Sequence, residues 1–250
     1  MVDRIRYNGV LFDLGNTLLP FGWNELSEFV KGWYEEAARV NDRIPFDLFI
    51  EAYRSVIREE WRIKRSRPWE TNPATRASMV AEQLDQHDMG GDDLKKILAS
   101  THTPVFQSCL RFPKSSIEFL SRLRPGEGPS GSSIRMGLIS NAADSTAIRN
   151  CLKIYDADRF FDVISVSEEE GEAKPWPGIF ERALGVLGLE GSDCVYVGDR
   201  YKVDVLGARN AGMEGIYYRQ YETRGEPPEG VTIDSPIAAS LDQLYQLLLS

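Results

Sequence analysis

The sequence predicts an α/β fold: a parallel sheet with helices on both faces, interrupted after its first strand by an all-helical domain. Three observations predict it. Past residue 110, short apolar runs alternate with amphipathic helical patterns, the mark of a parallel sheet. Between about 21 and 108 every periodic segment is helical. The chain also opens on Val10-Leu11-Phe12-Asp13-Leu14-Gly15-Asn16-Thr17-Leu18-Leu19, an apolar run that ends in a carboxylate and a glycine-containing turn. Runs of this kind are buried strands of parallel sheets. The core is therefore discontinuous, 1–20 with 109–250, and the helical domain, 21–108, is threaded between its parts.

The elements follow in order. Leu26, Phe29, Val30, Trp33, Tyr34 and Ala37 share one helical face. Pro45 and Asp47 open a second helix with Phe49, Ala52, Tyr53, Val56, Ile57 and Trp61 on one side, and Pro68 stops it. Asn72-Pro73 is an N-cap followed by proline at the first helical position, opening a helix that runs to about His87. Asp92 begins a fourth helix, which Pro104 should end or kink. Short connections between four such segments predict a small bundle. Then come a helix over 114–123, a Pro/Gly/Ser-rich connection over 124–133 that reads as mobile, and a strand over 134–139. A helix over 143–152, a strand over 161–165, a helix over 177–187 and a strand over 194–199 follow. A helix over 203–211 capped by Gly212, a strand over 215–218 and a helix over 241–249 close the chain.

Composition narrows the function. Of 250 residues, 42% are hydrophobic and 27% charged, as in soluble globular proteins. The net charge of −9 argues against a nucleic-acid binder, which needs a basic face. No run is long enough to span a bilayer and the N-terminus shows no apolar leader. Cys109, Cys151 and Cys194 lack CxxC spacing and read as reduced thiols of a cytoplasmic protein, with Cys194 buried. His87 and His102 have no second ligand at metal spacing and read as structural or solvent-facing. Trp23, Trp33, Tyr34 and Trp61 read as bundle core. Arg58, Arg62, Lys64, Arg65 and Arg67 form either a basic lip for an anionic substrate or a solvated helix end.

Polar residues recur at the predicted strand ends: Asp13, Ser140-Asn141, Lys174-Pro175, and Gly198-Asp199 with Asp204. Each alone has a plain explanation as a cap, a turn or a solvated lysine. Together they converge, because ligands of open α/β sheets bind beyond the carboxyl ends of the strands. Carboxylates with a lysine, a hydroxyl and helix-start amides suit a hard cation and a phosphate, and a carboxylate beside them can act as nucleophile.

Four segments resemble, in order, the four motifs of the haloacid dehalogenase-like (HAD) hydrolase superfamily. They are Phe12-Asp13-Leu14-Gly15-Asn16-Thr17-Leu18, Leu138-Ile139-Ser140-Asn141, Lys174-Pro175, and Val197-Gly198-Asp199-Arg200-Tyr201-Lys202-Val203-Asp204. The helical insert after the first is similar to the C1-type cap of that family. The resemblance implies a Rossmann-like three-layer core and Mg²⁺-dependent hydrolysis of a small phosphorylated metabolite. It implies Asp13 as nucleophile and Ser140, Asn141 and Lys174 as phosphate-binding residues, with Lys174 also orienting Asp13. It implies Asp13, the Gly15 carbonyl and Asp199 as metal ligands, supported by Asp204.

The sequence departs from that pattern at Gly15, where family phosphatases carry a second Asp that protonates the leaving group. Such groups contribute roughly 10²- to 10⁴-fold. Three accounts stand: a phosphatase for good leaving groups or with the missing group supplied elsewhere; a phosphonatase- or dehalogenase-type branch; or a protein that binds a phosphorylated ligand without turnover. Dehalogenases of the family usually lack the acidic pair that Asp199 and Asp204 form. A phosphonatase would need a cap lysine, from Lys31, Lys64, Lys95 or Lys96.

Overall fold

The computed structural model describes residues 5–124, 134–221 and 229–249. Six parallel strands form one sheet: β1 (Gly9–Phe12), β2 (Arg135–Ser140), β3 (Val163–Val166), β4 (Cys194–Gly198), β5 (Glu214–Tyr218) and β6 (Ile237–Ala238), in the order β3-β2-β1-β4-β5-β6. All four residues of β1 are buried, as a central strand covered on both faces requires. Phe12 lies in register between Leu138 and Val197. The strand order reverses at β1, so a crevice opens beyond its carboxyl end.

Alternation along β1 feeds two layers. Val10 and Phe12 pack with α5 (Lys114–Leu123), α6 (Ser145–Ile154) and α10 (Leu241–Leu249). Leu11 faces α8 (Pro177–Leu187) and α9 (Leu206–Asn210). One further turn, α7 (Ser167–Glu170), follows β3. The two-residue β6 was not expected from sequence; it is too short to show an alternating pattern.

The segments between β1 and α5 form α1 (Trp23–Val40), α2 (Phe46–Ser66), α3 (Pro73–Asp85) and α4 (Asp92–Cys109). They share their own apolar cluster around Phe29, Trp33, Phe49, Val80 and Leu98. The Asn72 side chain accepts from the Thr75 N–H at 2.9 Å and Pro73 is the first helical residue, as read from sequence. Pro104 does not end the helix: α4 runs through it to Cys109. A mid-helix proline costs about 3 kcal/mol. Here α4 packs against α1, α3 and α6 and buries Cys109 beyond the usual stopping point, which offsets that cost.

Two of the tryptophans expected in the bundle core are not there. Trp33 is fully buried, but Trp23 is 57% and Trp61 37% exposed. Their helical spacing is right, yet both sit near helix ends on the side facing the sheet edge, where the bundle opens into a cavity. His87 is exposed and all three cysteines are buried and free. Residues 1–4, and the Pro/Gly/Ser-rich connection from 125 to 133, lie outside the described residues. No described helix is long and apolar enough to cross a membrane.

Candidate active site

Each predicted site residue sits at the carboxyl edge of the sheet. Asp13 follows β1, Ser140 ends β2, Asn141 follows it, Lys174 lies between β3 and α8, and Asp199 follows β4. Asp204 lies in a single π-helical turn, Tyr201–Val205, that precedes α9. All of them, with Gly15, line one cavity of ≈ 500 Å³ between the sheet edge and the helical block.

Lys174 is the hub. Its buried ammonium donates to Asp13 Oδ1 at 2.7 Å, the Ile139 carbonyl at 2.9 Å and the Tyr196 hydroxyl at 2.7 Å. These use all three of its N–H donors. Asp204 Oδ1 also lies 2.7 Å from Nζ, but off the direction of a hydrogen bond, so that oxygen is a buried acceptor with no donor. Burial alone would lower the lysine pKa; Asp13 and Asp204 reverse this and hold it well above the usual value. Burial pushes the Asp13 carboxyl up to about 6, opposed by Lys174 and reinforced by Asp204.

Local structure explains the placement. The Asn141 side chain donates to the Lys174 carbonyl at 2.9 Å and accepts from the Lys174 N–H at 2.8 Å, so it clamps the lysine backbone. Thr17 Oγ1 donates to Asp13 Oδ2 at 3.1 Å, which leaves each Asp13 oxygen held by one donor. Asp204 Oδ2 accepts from the Arg200 N–H at 2.9 Å. Gly198 lets this happen: a Cβ there would meet Asp204 Cβ at 2.4 Å, an impossible contact. The Ser140 hydroxyl makes no hydrogen bond to another described residue and borders the cavity.

Oxygens of Asp13, Asp199 and Asp204 lie within 4.8 Å of one another. Three buried carboxylates this close, with Asp204 Oδ1 left without a donor, suit a hard cation. The Gly15 position is roomy. A Cβ built there is 3.7 Å from Phe21 Cβ, ordinary van der Waals contact, so glycine is not enforced by crowding.

The opposite wall comes from the helical block and was not foreseen. Arg76 forks onto Glu60, Nε to Oε1 at 2.9 Å and Nη2 to Oε2 at 2.7 Å. Arg76 Nη1 lies 3.5 Å from His102 Nε2, and His102 Nδ1 lies 2.9 Å from Asp144 Oδ2. Asp144 Oδ1 caps α6 by accepting from the Ala147 N–H at 2.9 Å. A buried polar chain thus joins the block to the sheet layer across four sequence-distant segments. Of the basic stretch, Arg58 and Arg62 pair with Glu51 and Glu59 in solvent, whereas Lys64 turns inward to Glu70. Tyr196 also escaped the sequence, because a tyrosine in an apolar strand reads as core.

A family model of haloacid dehalogenase-like hydrolases matches residues 7–212. The chain is 26% identical over 259 residues to the N-acylneuraminate-9-phosphatase of Rattus norvegicus, covering 98% of this chain and 95% of that one. A glyceraldehyde 3-phosphate phosphatase of Pyrococcus abyssi is 33% identical over 87 residues, 34% of this chain and 35% of its own. Among solved structures, a Bacillus subtilis putative HAD-hydrolase bound to magnesium superposes with a TM-score of 0.70 at 18% identity, covering 97% and 99% of the two chains. A 2-haloacid dehalogenase of Pseudomonas syringae does so with 0.67 at 23%, covering 96% of each. These likenesses agree with the α/β, Rossmann-like fold.

Proposed function

Because the chain belongs to the haloacid dehalogenase-like hydrolase family, we propose that it hydrolyses small phosphate monoesters with Mg²⁺, through an aspartyl-phosphate on Asp13. One observation carries the reading: Asp13 meets Lys174, Asp199 and Asp204 in one buried cluster, in which Asp13 and Asp204 share the single Lys174 ammonium. The names of the phosphatase relatives support the reaction type. The helical block, 21–108, acts as a cap that encloses the leaving group. Three buried free thiols fit a reducing, cytoplasmic setting.

Asp13, the Gly15 carbonyl and Asp199 would hold the ion, with Asp204 in support, and bound Mg²⁺ supplies charge neutralisation to the phosphate oxygens. The Ser140 hydroxyl binds those oxygens; the Lys174 ammonium, whose N–H groups go to Asp13, Ile139 and Tyr196, attracts them by its charge and orients Asp13, and Asn141 acts by fixing the Lys174 backbone. The Asp13 carboxylate attacks phosphorus; the new oxygen–phosphorus bond forms as the bond to the leaving oxygen breaks. Water then attacks phosphorus, Asp13 departs as carboxylate, and inorganic phosphate is released. No side chain at Gly15 protonates the leaving oxygen. Glu60, the cavity carboxylate nearest that role in the block, is engaged by Arg76. Esters of acidic alcohols and phenols are therefore the best substrates. A phosphonatase route is disfavoured: of Lys31, Lys64, Lys95 and Lys96 only Lys64 lines the cavity, and it is tied up in an ion pair with Glu70.

The test is phosphate release from p-nitrophenyl phosphate with Mg²⁺. Asp13→Asn or EDTA should lower it by at least about 10³-fold. Gly15→Asp should raise the rate on alkyl phosphates by roughly 10²-fold, since the position admits the side chain. Folded protein that releases no phosphate from any ester, yet is thermally stabilised by phosphate, would make it a binding protein instead.

A further inference from the structure

The cavity is lined by four cations: Lys64, Arg76, Lys174 and Arg200. Three are matched by carboxylates. Lys174 lies against Asp13 and Asp204, Arg76 against Glu60, and Lys64 against Glu70. Among the described residues Arg200 has no carboxylate partner and its guanidinium makes no hydrogen bond. What it touches is the indole of Trp61, with Cζ 4.7 Å from the ring centroid.

The backbone of Arg200 is fixed at the sheet edge. Its N–H donates to Asp204 Oδ2 at 2.9 Å and its carbonyl accepts from the Asp204 N–H at 2.7 Å. Its side chain reaches across to a residue of α2 in the helical block. The charge is therefore delivered to the leaving-group side of the cavity, away from the cluster around Asp13. A guanidinium resting on an aromatic face is weakly hydrated and keeps its planar N–H edge available. That edge matches a carboxylate in a two-pronged hydrogen bond. A chain of net charge −9 offers no general attraction for such a group, so a local cation has to provide it.

We propose that Arg200 is a specificity-determining residue that binds a carboxylate on the leaving group. The substrates are then phosphate monoesters of hydroxy acids, in preference to esters of neutral alcohols. This rests on the phosphatase reading above, and the test separates the two.

The experiment compares kcat/KM for 4-carboxyphenyl phosphate with that for 4-carbamoylphenyl phosphate, an uncharged ester of the same shape. The wild-type ratio should be on the order of 10 or more, the scale of one charge-assisted hydrogen bond. Arg200→Gln should lower that ratio about 10-fold, chiefly through the KM of the carboxylate ester, and Arg200→Lys should restore part of it. Trp61→Ala, which removes the surface under the guanidinium, should lower the same ratio. Thermal melts confirm that each variant is folded. Hydrolysis of both esters with a ratio near one, or with a ratio that Arg200→Gln leaves unchanged, would overturn the assignment of Arg200 alone. Failure to hydrolyse either ester would overturn the phosphatase reading and this inference with it.

Discussion

The two walls of the cavity handle buried charge in opposite ways. On the sheet side, Asp13 and Asp204 share one ammonium, Lys174. On the helical side, Arg76 answers Glu60 and Lys64 answers Glu70, one for one. Desolvated charge is costly unless matched, so a balanced pair is stable in itself and an unbalanced cluster is incomplete until something binds. The difference teaches where to look for chemistry. Under the proposed function, the unbalanced wall is the one that would take a cation and a phosphate, and the balanced wall would shape the space around the leaving group.

The largest effect should come from breaking the unbalanced wall. Lys174→Met leaves Asp13 and Asp204 facing each other without a cation. Stability should fall by about 3–5 kcal/mol, as when one partner of a buried pair is removed, and phosphate release by at least about 10³-fold. Urea melts in EDTA and p-nitrophenyl phosphate assays check both. A variant that melts like the wild type would mean the cluster is hydrated and its imbalance harmless.

Breaking the balanced wall should cost stability with far less activity. Arg76→Leu strands Glu60 in the interior, again worth about 3–5 kcal/mol, while turnover of p-nitrophenyl phosphate should change by less than about 10-fold. The comparison sharpens in the double variant Glu60→Met with Arg76→Leu. Replacing a buried pair by apolar residues of similar volume is often neutral, so most of the lost stability should return. If the double variant is as unstable as the single one, the pair does more than balance itself.

The same contrast explains what was legible in the sequence. The sheet-side residues are read from position: Asp13, Ser140 and Asp199 each end a short apolar run, and parallel strands bring such ends together whatever the side chains do. α5, α8 and α10 are likewise found where their periodicity and flanking Pro and Gly place them. The helical-side pairs depend on how four helices rotate against one another. Glu60, Arg76 and His102 come from three helices, and nothing local marks them as partners. Trp61 failed for the same reason: its spacing states the face of α2, not what that face meets. Tyr196 was hidden by its apolar neighbours on β4, although its hydroxyl accepts from Lys174 and donates to the Ile139 carbonyl. Pro104 shows local chemistry overridden by packing.

The smallest effect tests the link between the walls. The His102 ring is 1% exposed and packs against Phe29, Trp33 and Phe106. Burial lowers its pKa, Asp144 opposes this, and the Arg76 charge adds to it; Glu60 also faces the group. The imidazole is therefore neutral, with Nδ1–H donating to Asp144 and Nε2 turned to Arg76. An unfolded histidine takes up a proton near pH 6.5, while the folded one resists. The contribution of His102 is thus complete above about 6.5 and is lost as the pH falls from there toward its lowered folded value. Each pH unit in that window costs up to about 1.4 kcal/mol. His102→Gln cannot titrate, so the stability gap between it and the wild type should narrow between pH 7.5 and 5.5. Urea midpoints at the two pH values measure it. A gap that stays constant would mean the ring is already protonated, held by Asp144 as a cation, and the chain between the walls would then be a run of ion pairs.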